Sequence, residues 1–154
     1  MGLFDFLRPP PQSHPELGPL SYRGGHWHGV VALDGAARLP LHLPGPRSGP
    51  SPEALRLAGQ ASAWWAEVRE RVTAELYAHY TAGRDGGLAA IPGVTEPSAV
   101  WSEVTLSSVQ LAPYGSPREM QVALRVTWDE EHTLGALLRD GELVELNGSI
   151  LEPR

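Results

Sequence analysis

The eight residues WDEEHTLG, at positions 128–135, lie between two runs in which apolar side chains alternate with polar ones. Such alternation is typical of β-strands with one buried face, and a polar stretch between two of them predicts a tight antiparallel corner. With a three-residue corner at 129–131, Trp128 would pair with His132 and Val126 with Leu134, so that the apolar partners share one face. We therefore predict two strands joined here, with three carboxylates and an imidazole at the tip.

This corner supplies the candidate functional residues: Trp128, Asp129, Glu130, Glu131 and His132. As an acidic recognition surface, it would bind a basic protein partner, or a second copy of the chain, through charge-assisted hydrogen bonds. As the site of a hydrolase or metal-dependent enzyme, it would use His132 as a base, with Glu131 or Asp129 orienting the ring or holding a hard cation. It is also compatible with a solvated turn. Because consecutive strand residues point to opposite faces, we expect a non-catalytic protein-interaction module and keep the enzyme as the alternative.

The composition excludes several classes of chemistry. The chain has 154 residues and a net charge of −6; it contains no cysteine, and all twelve of its basic residues are arginine. Thiol nucleophiles, iron–sulfur ligation and lysine Schiff bases are therefore excluded. The sequence contains no glycine-rich nucleotide-binding motif, no nucleophile elbow and no zinc-protease helix motif. We accordingly expect no cofactor.

Charge and hydropathy also predict the surroundings of the protein. The arginines are scattered singly, so no basic stripe follows a phosphate backbone and we expect no nucleic-acid partner. No apolar run is long enough to span a bilayer, and residues 1–7 lack the basic and apolar regions of a signal peptide. These features predict a cytoplasmic protein without membrane contact. The arginine-only, alanine- and proline-rich usage indicates a GC-rich bacterial genome.

A β-hairpin is predicted at residues 26–43. A two-residue loop at Asp34-Gly35 would mix polar and apolar residues on each face, whereas a three-residue loop, Asp34-Gly35-Ala36, gathers the apolar residues on one side. Burial favours the second register. The other face then carries His26, His28 and His42, with His42 directly opposite His28.

These three imidazoles have a spacing that would suit zinc or another transition metal. No carboxylate lies nearby in sequence to complete or orient such a site. We therefore expect His26, His28 and His42 to be solvated, and we expect no metal.

The middle of the chain predicts one long helix. Ser51 is placed as its N-cap, Pro52 as its first residue and Gly83 as its end. The residues that recur at helical spacing, and so predict the buried face, are Leu57, Ala61, Trp64, Trp65, Val68, Val72, Leu76 and Tyr80.

From Trp101 onward the pattern predicts four strands, with a bulge near Ser107-Ser108 and a turn at Asp140-Gly141. The predicted fold class is α+β: an N-terminal β-hairpin, one long helix, then a four-stranded antiparallel meander packed on the helix. Residues 1–19 would form an N-terminal segment and proline-rich linker, and residues 20–154 a single α+β domain.

One resemblance is carried by the corner. The sequence WDEEHTLG, followed by Asp140-Gly141 and by Asn147-Gly148-Ser149, resembles the end of a family of small uncharacterised bacterial domains with a C-terminal Trp-Asp-x-Glu-His-x-x-Gly hairpin. The resemblance implies an α+β domain of unassigned activity. Some small bacterial domains of this general kind look like immunity proteins that neutralise toxins, which implies an immunity-like role.

Overall fold

The structure is a computed structural model that describes residues 10–33 and 38–153. Helix α1 spans Pro52–Asp85, and a 3₁₀ helix spans Pro97–Glu103. The strands are β1 (Gln12–His14), β2 (Gly18–Arg23), β3 (His26–Ala32), β4 (Arg38–Leu43), β5 (Val104–Leu111), β6 (Glu119–Val126), β7 (Asp129–Arg139) and β8 (Glu142–Asn147). Neither of these helices is long and apolar enough to cross a membrane.

The eight strands form one sheet in the order β1 to β8. Neighbouring strands are antiparallel except for β4 and β5, which are parallel, with Leu41 opposite Val109 and His42 opposite Gln110. Parallel neighbours cannot be joined by a tight turn and need a long crossover, usually a helix. Helix α1 provides that crossover, so the sheet is mixed and continuous.

The predicted architecture of a separate hairpin, a helix and a four-stranded meander packed on that helix is therefore wrong. Strands β3 and β4 pair further with β2 on one side and with β5 on the other. The physical reason is that a hairpin has two open edges whose N–H and C=O groups need partners. Alternation along a strand identifies its buried face but does not identify the strand that meets its edge.

The N-terminal part of the domain adds two more strands. Within the segment that the prolines predicted as a linker, residues 12–14 form β1, residues 18 and 19 begin β2, and Leu17 is buried in the core. Residues 1–9 of that segment lie outside the described ranges.

Helix α1 begins as predicted. The Oγ of Ser51 accepts a hydrogen bond from the N–H of Ala54 at 3.3 Å, and Pro52 is the first helical residue. The predicted end at Gly83 is wrong, because the helix continues to Asp85 and is capped by Gly86. The residues it buries against the sheet are Ala54, Leu57, Ala58, Ala61, Trp65, Val68, Val72, Leu76 and Tyr80.

The sheet has a core face, which packs on α1, and an outer face on the opposite side. The predicted register of β3 and β4 is confirmed: Val31 lies opposite Leu39 and His28 opposite His42. The connecting turn, predicted at Asp34-Gly35-Ala36, lies outside the described residues. The bulge at Ser107-Ser108 is also confirmed.

The outer face is not simply solvated. After β8 the chain returns across it as a C-terminal segment, residues 148–153, in which the N–H of Ile150 donates to the carbonyl of Thr133 at 2.8 Å. The Cγ2 of Ile150 lies only 2.6 Å from the position that a Cβ on Gly135 would occupy, so a larger residue at 135 would clash with it. Leu137, on the same face, is buried. The chain's own C-terminal segment therefore covers part of this face.

Candidate functional site

The corner between β6 and β7 has a different register from the predicted one. Leu124 pairs with Leu134, and Val126 pairs with Asp129. The turn therefore consists of residues 127 and 128, and residues 130–133 of β7 lie opposite a single residue of β6. The predicted pairing of Val126 with Leu134 is wrong by two residues, although the apolar side chains keep the same face. The irregular stretch directs the polar side chains of β7 toward one cavity.

An acidic cleft lies at this corner. Its cavity of ≈ 380 Å³ is lined by Glu103, Thr105, Arg125, Val126, Thr127, Asp129, Glu130, His132 and Thr133. We define the acidic cleft by its three carboxylates, those of Glu103, Asp129 and Glu130. They come from the end of the 3₁₀ helix and from the start of β7, which the pairing of β5 with β6 and of β6 with β7 brings together.

Asp129 and His132 form a hydrogen-bonded pair in the cleft. The Nδ1 of His132 lies 2.8 Å and 3.1 Å from the two carboxylate oxygens of Asp129. A carboxylate only accepts hydrogen bonds, so the Nδ1 carries the proton and the Nε2 is left available on the other side of the ring. The side chain of His132 is 48% exposed. The predicted pairing of His132 with Trp128 is wrong, because Trp128 lies in the turn.

Glu103 was not predicted. Its carboxylate accepts a hydrogen bond from the Oγ1 of Thr127 at 2.5 Å, and its carbonyl accepts one from the N–H of Thr127 at 3.1 Å. The sequence predicted a strand across this position, where the structure has the end of a 3₁₀ helix. The signal that was present is Pro97, which favours the first turn of a helix.

The remaining two predicted residues lie outside the cleft. Trp128 is buried, with 7% exposure, and belongs to the core rather than to a binding surface. Its Nε1 donates to the Nδ1 of His79 at 3.0 Å, and its ring meets that of Tyr80 edge-on, with centroids 5.4 Å apart. Glu131 is exposed and does not line the cavity. Of the five predicted residues, the structure thus brings together Asp129, Glu130 and His132.

The charge of Arg125 does not neutralise the cleft. Its Nη2 donates to a carboxylate oxygen of Glu152 at 3.2 Å, while the hydroxyls of Ser107 and Ser108 donate to the other oxygen at 2.7 Å and 2.8 Å. Burial alone would raise the pKa of the Glu152 carboxyl, but these hydrogen bonds outweigh burial and lower the pKa below its ordinary value. Arg125 is therefore paired with a stable carboxylate outside the acidic cleft.

The histidines of β3 and β4 lie on the outer face. The expectation that all three are solvated is wrong, because His28 and His42 are buried with their rings edge-on and 4.8 Å apart. The Nε2 of His28 meets the carbonyl of Arg23 at 3.1 Å, whereas the Nδ1 of His42 is buried without a hydrogen-bond partner. Burial, and then the neighbouring His28, lower the pKa of His42 to about 4. Burial also lowers the pKa of His28.

In the part of the chain that the structure describes, no three His, Asp or Glu side chains are grouped so that they could hold a metal ion. The absence of a metal in the protein stays a prediction.

Fold and site together define a small domain of one mixed sheet and one long helix, with an open acidic cleft at the β6–β7 corner. The chain belongs to the family described as a domain of unknown function (DUF6985), whose model matches residues 17–150. No curated protein and no solved structure matches the chain. Membership of an uncharacterised domain family agrees with the resemblance seen in the sequence; the bacterial origin and the hairpin motif stay predictions.

Proposed function

We propose that the protein is a non-catalytic interaction module whose acidic cleft receives basic side chains of a protein partner. The observation that supports this proposal is the grouping of Glu103, Asp129 and Glu130 around one cavity; among the described residues that line it the one arginine, Arg125, is already paired with Glu152. The net charge of −6 adds a favourable long-range field for a basic partner.

The chemistry of the cleft suits a guanidinium group. Carboxylates accept the charge-assisted, often bidentate hydrogen bonds that arginine donates, and these are stronger than bonds between neutral groups. The cavity of ≈ 380 Å³ is at the lower end of the range for small-ligand pockets and has room for one or two side chains. Asp129 already holds His132, so Glu103 and Glu130 are the carboxylates best placed to bind the partner.

An immunity-like role is a narrower form of this proposal. A toxin that recognises an anionic substrate presents a basic site, and an acidic cleft is complementary to such a site. The partner would then be the basic active-site region of a toxin. Self-association is the competing form, in which an arginine of a second copy would occupy the cleft.

An enzyme remains the second candidate, and one specific observation favours it. The hydrogen bond from His132 to Asp129 orients the imidazole as it is oriented in catalytic dyads, and the free Nε2 would then accept a proton from a water or a substrate. Glu131, which the sequence placed in this alternative, lies outside the cleft. The hydroxyls lining the cavity are those of Thr105, Thr127 and Thr133. Among the described residues, none of the three is hydrogen-bonded to His132.

Binding of an arginine-rich peptide tests the proposal. We expect the peptide to bind at 0.1 M salt and to bind far more weakly at 1 M, because the Debye length shrinks from about 10 Å to about 3 Å. Glu103→Gln and Glu130→Gln should each weaken binding about three- to tenfold, since each removes one charge-assisted partner, and the double variant should bind more weakly than either single variant. Calorimetric titration gives both affinities.

The matched control is Glu75→Gln, which removes an exposed carboxylate of α1 outside the cleft and should change the affinity less than twofold. Equal loss in this control would show that the peptide responds to net charge alone. If His132→Gln abolishes a measurable hydrolysis while peptide binding persists, the enzyme is the correct interpretation.

A further inference from the structure

A second cavity lies on the outer face of the sheet, between the strands and the C-terminal segment. It has a volume of ≈ 420 Å³. Its walls include His26, Gln110, Tyr114 and Gln121, and residues 149–153 of the C-terminal segment close one side. This size lies within the range of small-ligand pockets in proteins.

Two carboxamides stand side by side in this cavity. Gln110 of β5 pairs directly with Gln121 of β6, so their side chains leave the same face of the sheet at neighbouring positions. Gln121 is only 4% exposed; its Nε2 donates to the hydroxyl of Tyr114 at 3.3 Å, and no described residue donates to its Oε1. The side chain of Gln110 makes no hydrogen bond with any part of the chain that the structure describes. The amide atoms of Gln110 and Gln121 that lack a hydrogen-bond partner are not fully buried. Their unused donors and acceptors are therefore accessible from the cavity.

The residues around the amides indicate the kind of molecule that fits. Tyr114 is 63% exposed and provides a flat aromatic surface at the rim, suited to stacking on a planar ring. The described residues that line the cavity include no arginine to bind a phosphate, and the carboxylate of Glu152 among them is already paired with Arg125. A planar, uncharged molecule with hydrogen-bonding groups along one edge would fit this aromatic surface and these amides.

We propose that this outer-face cavity binds an uncharged purine of the adenine type, as the free base or the nucleoside. A glutamine carboxamide matches the adjacent donor and acceptor on the N6/N7 edge of adenine, and Gln110, whose amide is unused, makes that contact. Gln121 supports it from the neighbouring strand, and Tyr114 stacks on the ring. This site is separate from the acidic cleft and does not depend on the function proposed for it.

Calorimetric titration with adenosine tests the proposal, with adenosine 5′-monophosphate as the charged counterpart. We expect saturable one-to-one binding of adenosine at or below about millimolar concentration, and binding of the monophosphate about tenfold or more weaker. Gln110→Leu should weaken adenosine binding about tenfold or more through loss of the bidentate contact. Tyr114→Ala should weaken it severalfold through loss of stacking.

The control is Glu131→Gln, an exposed residue that does not line this cavity, which should leave the adenosine affinity unchanged. Circular dichroism and thermal melts would establish that the Gln110 and Tyr114 variants are folded. The proposal is overturned if adenosine shows no saturable binding up to about 10 mM, if the monophosphate binds as tightly as adenosine, or if both folded variants bind adenosine as the native protein does.

Discussion

Replacing Trp128 with alanine is expected to lower the free energy of unfolding by about 3–5 kcal/mol, the usual range for removing a buried tryptophan. The indole closes the end of the core between the β6–β7 turn and the C-terminal half of α1, where it meets Tyr80 and donates to His79. Truncation leaves a cavity and removes the donor of the partly buried hydrogen bond to His79. Denaturant melts followed by circular dichroism measure the loss.

Trp128→Phe is the matched variant. It keeps an aromatic ring beside Tyr80 and removes the Nε1 donor, so its cost should be smaller, at about 1–3 kcal/mol. A loss below about 1 kcal/mol for Trp128→Ala would show that the indole is exposed and that the observed corner register is incorrect.

Acidification from pH 7 to pH 4.5 is expected to remove about 2–3 kcal/mol of stability through His42 alone. Burial and His28 hold the pKa of His42 at about 4 in the folded protein, against an ordinary value of 6.5. Because the folded state disfavours the protonated ring, the unfolded state binds more protons as the pH falls below 6.5. The contribution is therefore complete above pH 6.5 and is lost progressively toward pH 4.

His42→Leu separates this effect from the titration of other groups. Leucine keeps the site apolar and removes the buried Nδ1 that lacks a partner, so stability at pH 7 should be nearly unchanged. The decrease between pH 6.5 and 4.5 should shrink, and the part that remains belongs to other groups, among them His28 and Glu152, whose pKa values are also lowered. Denaturant melts at several pH values measure both curves; an unchanged slope in the variant would contradict the assignment.

Local patterns in the sequence predicted part of the local structure. Turn chemistry and burial together predicted the pairing of β3 with β4, and Ser51-Pro52 predicted the start of α1, because these features depend on residues close in sequence. The parallel pairing of β4 with β5 joins residues separated by the whole helix. Nothing in the alternation of either strand specifies that contact. The prediction therefore separated the hairpin from the later strands, although they belong to one sheet.

For the candidate site, too, residues close together in the sequence could be predicted, and a residue distant in the sequence could not. Asp129, Glu130 and His132 could be predicted because they are charged or titratable residues that follow one another closely at a predicted turn. Glu103 could not, since it joins them through strand pairing. The two-residue difference in register moved His132 from its predicted position opposite Trp128 to the exposed cleft, and no sequence pattern distinguished a three-residue corner from a two-residue turn followed by an irregular strand.

The most direct test of the acidic cleft compares two single substitutions in the arginine-rich peptide titration at 0.1 M salt. Glu103 lines the cleft although it is 28 residues away from Glu131 in the sequence, and Glu131 lies outside the cleft although it is adjacent to Glu130. Each substitution, Glu103→Gln or Glu131→Gln, removes one negative charge, so the two variants have the same net charge. We expect Glu103→Gln to weaken binding about three- to tenfold and Glu131→Gln to change it less than twofold. Equal effects, or a larger loss for Glu131→Gln, would contradict the cleft as the binding site.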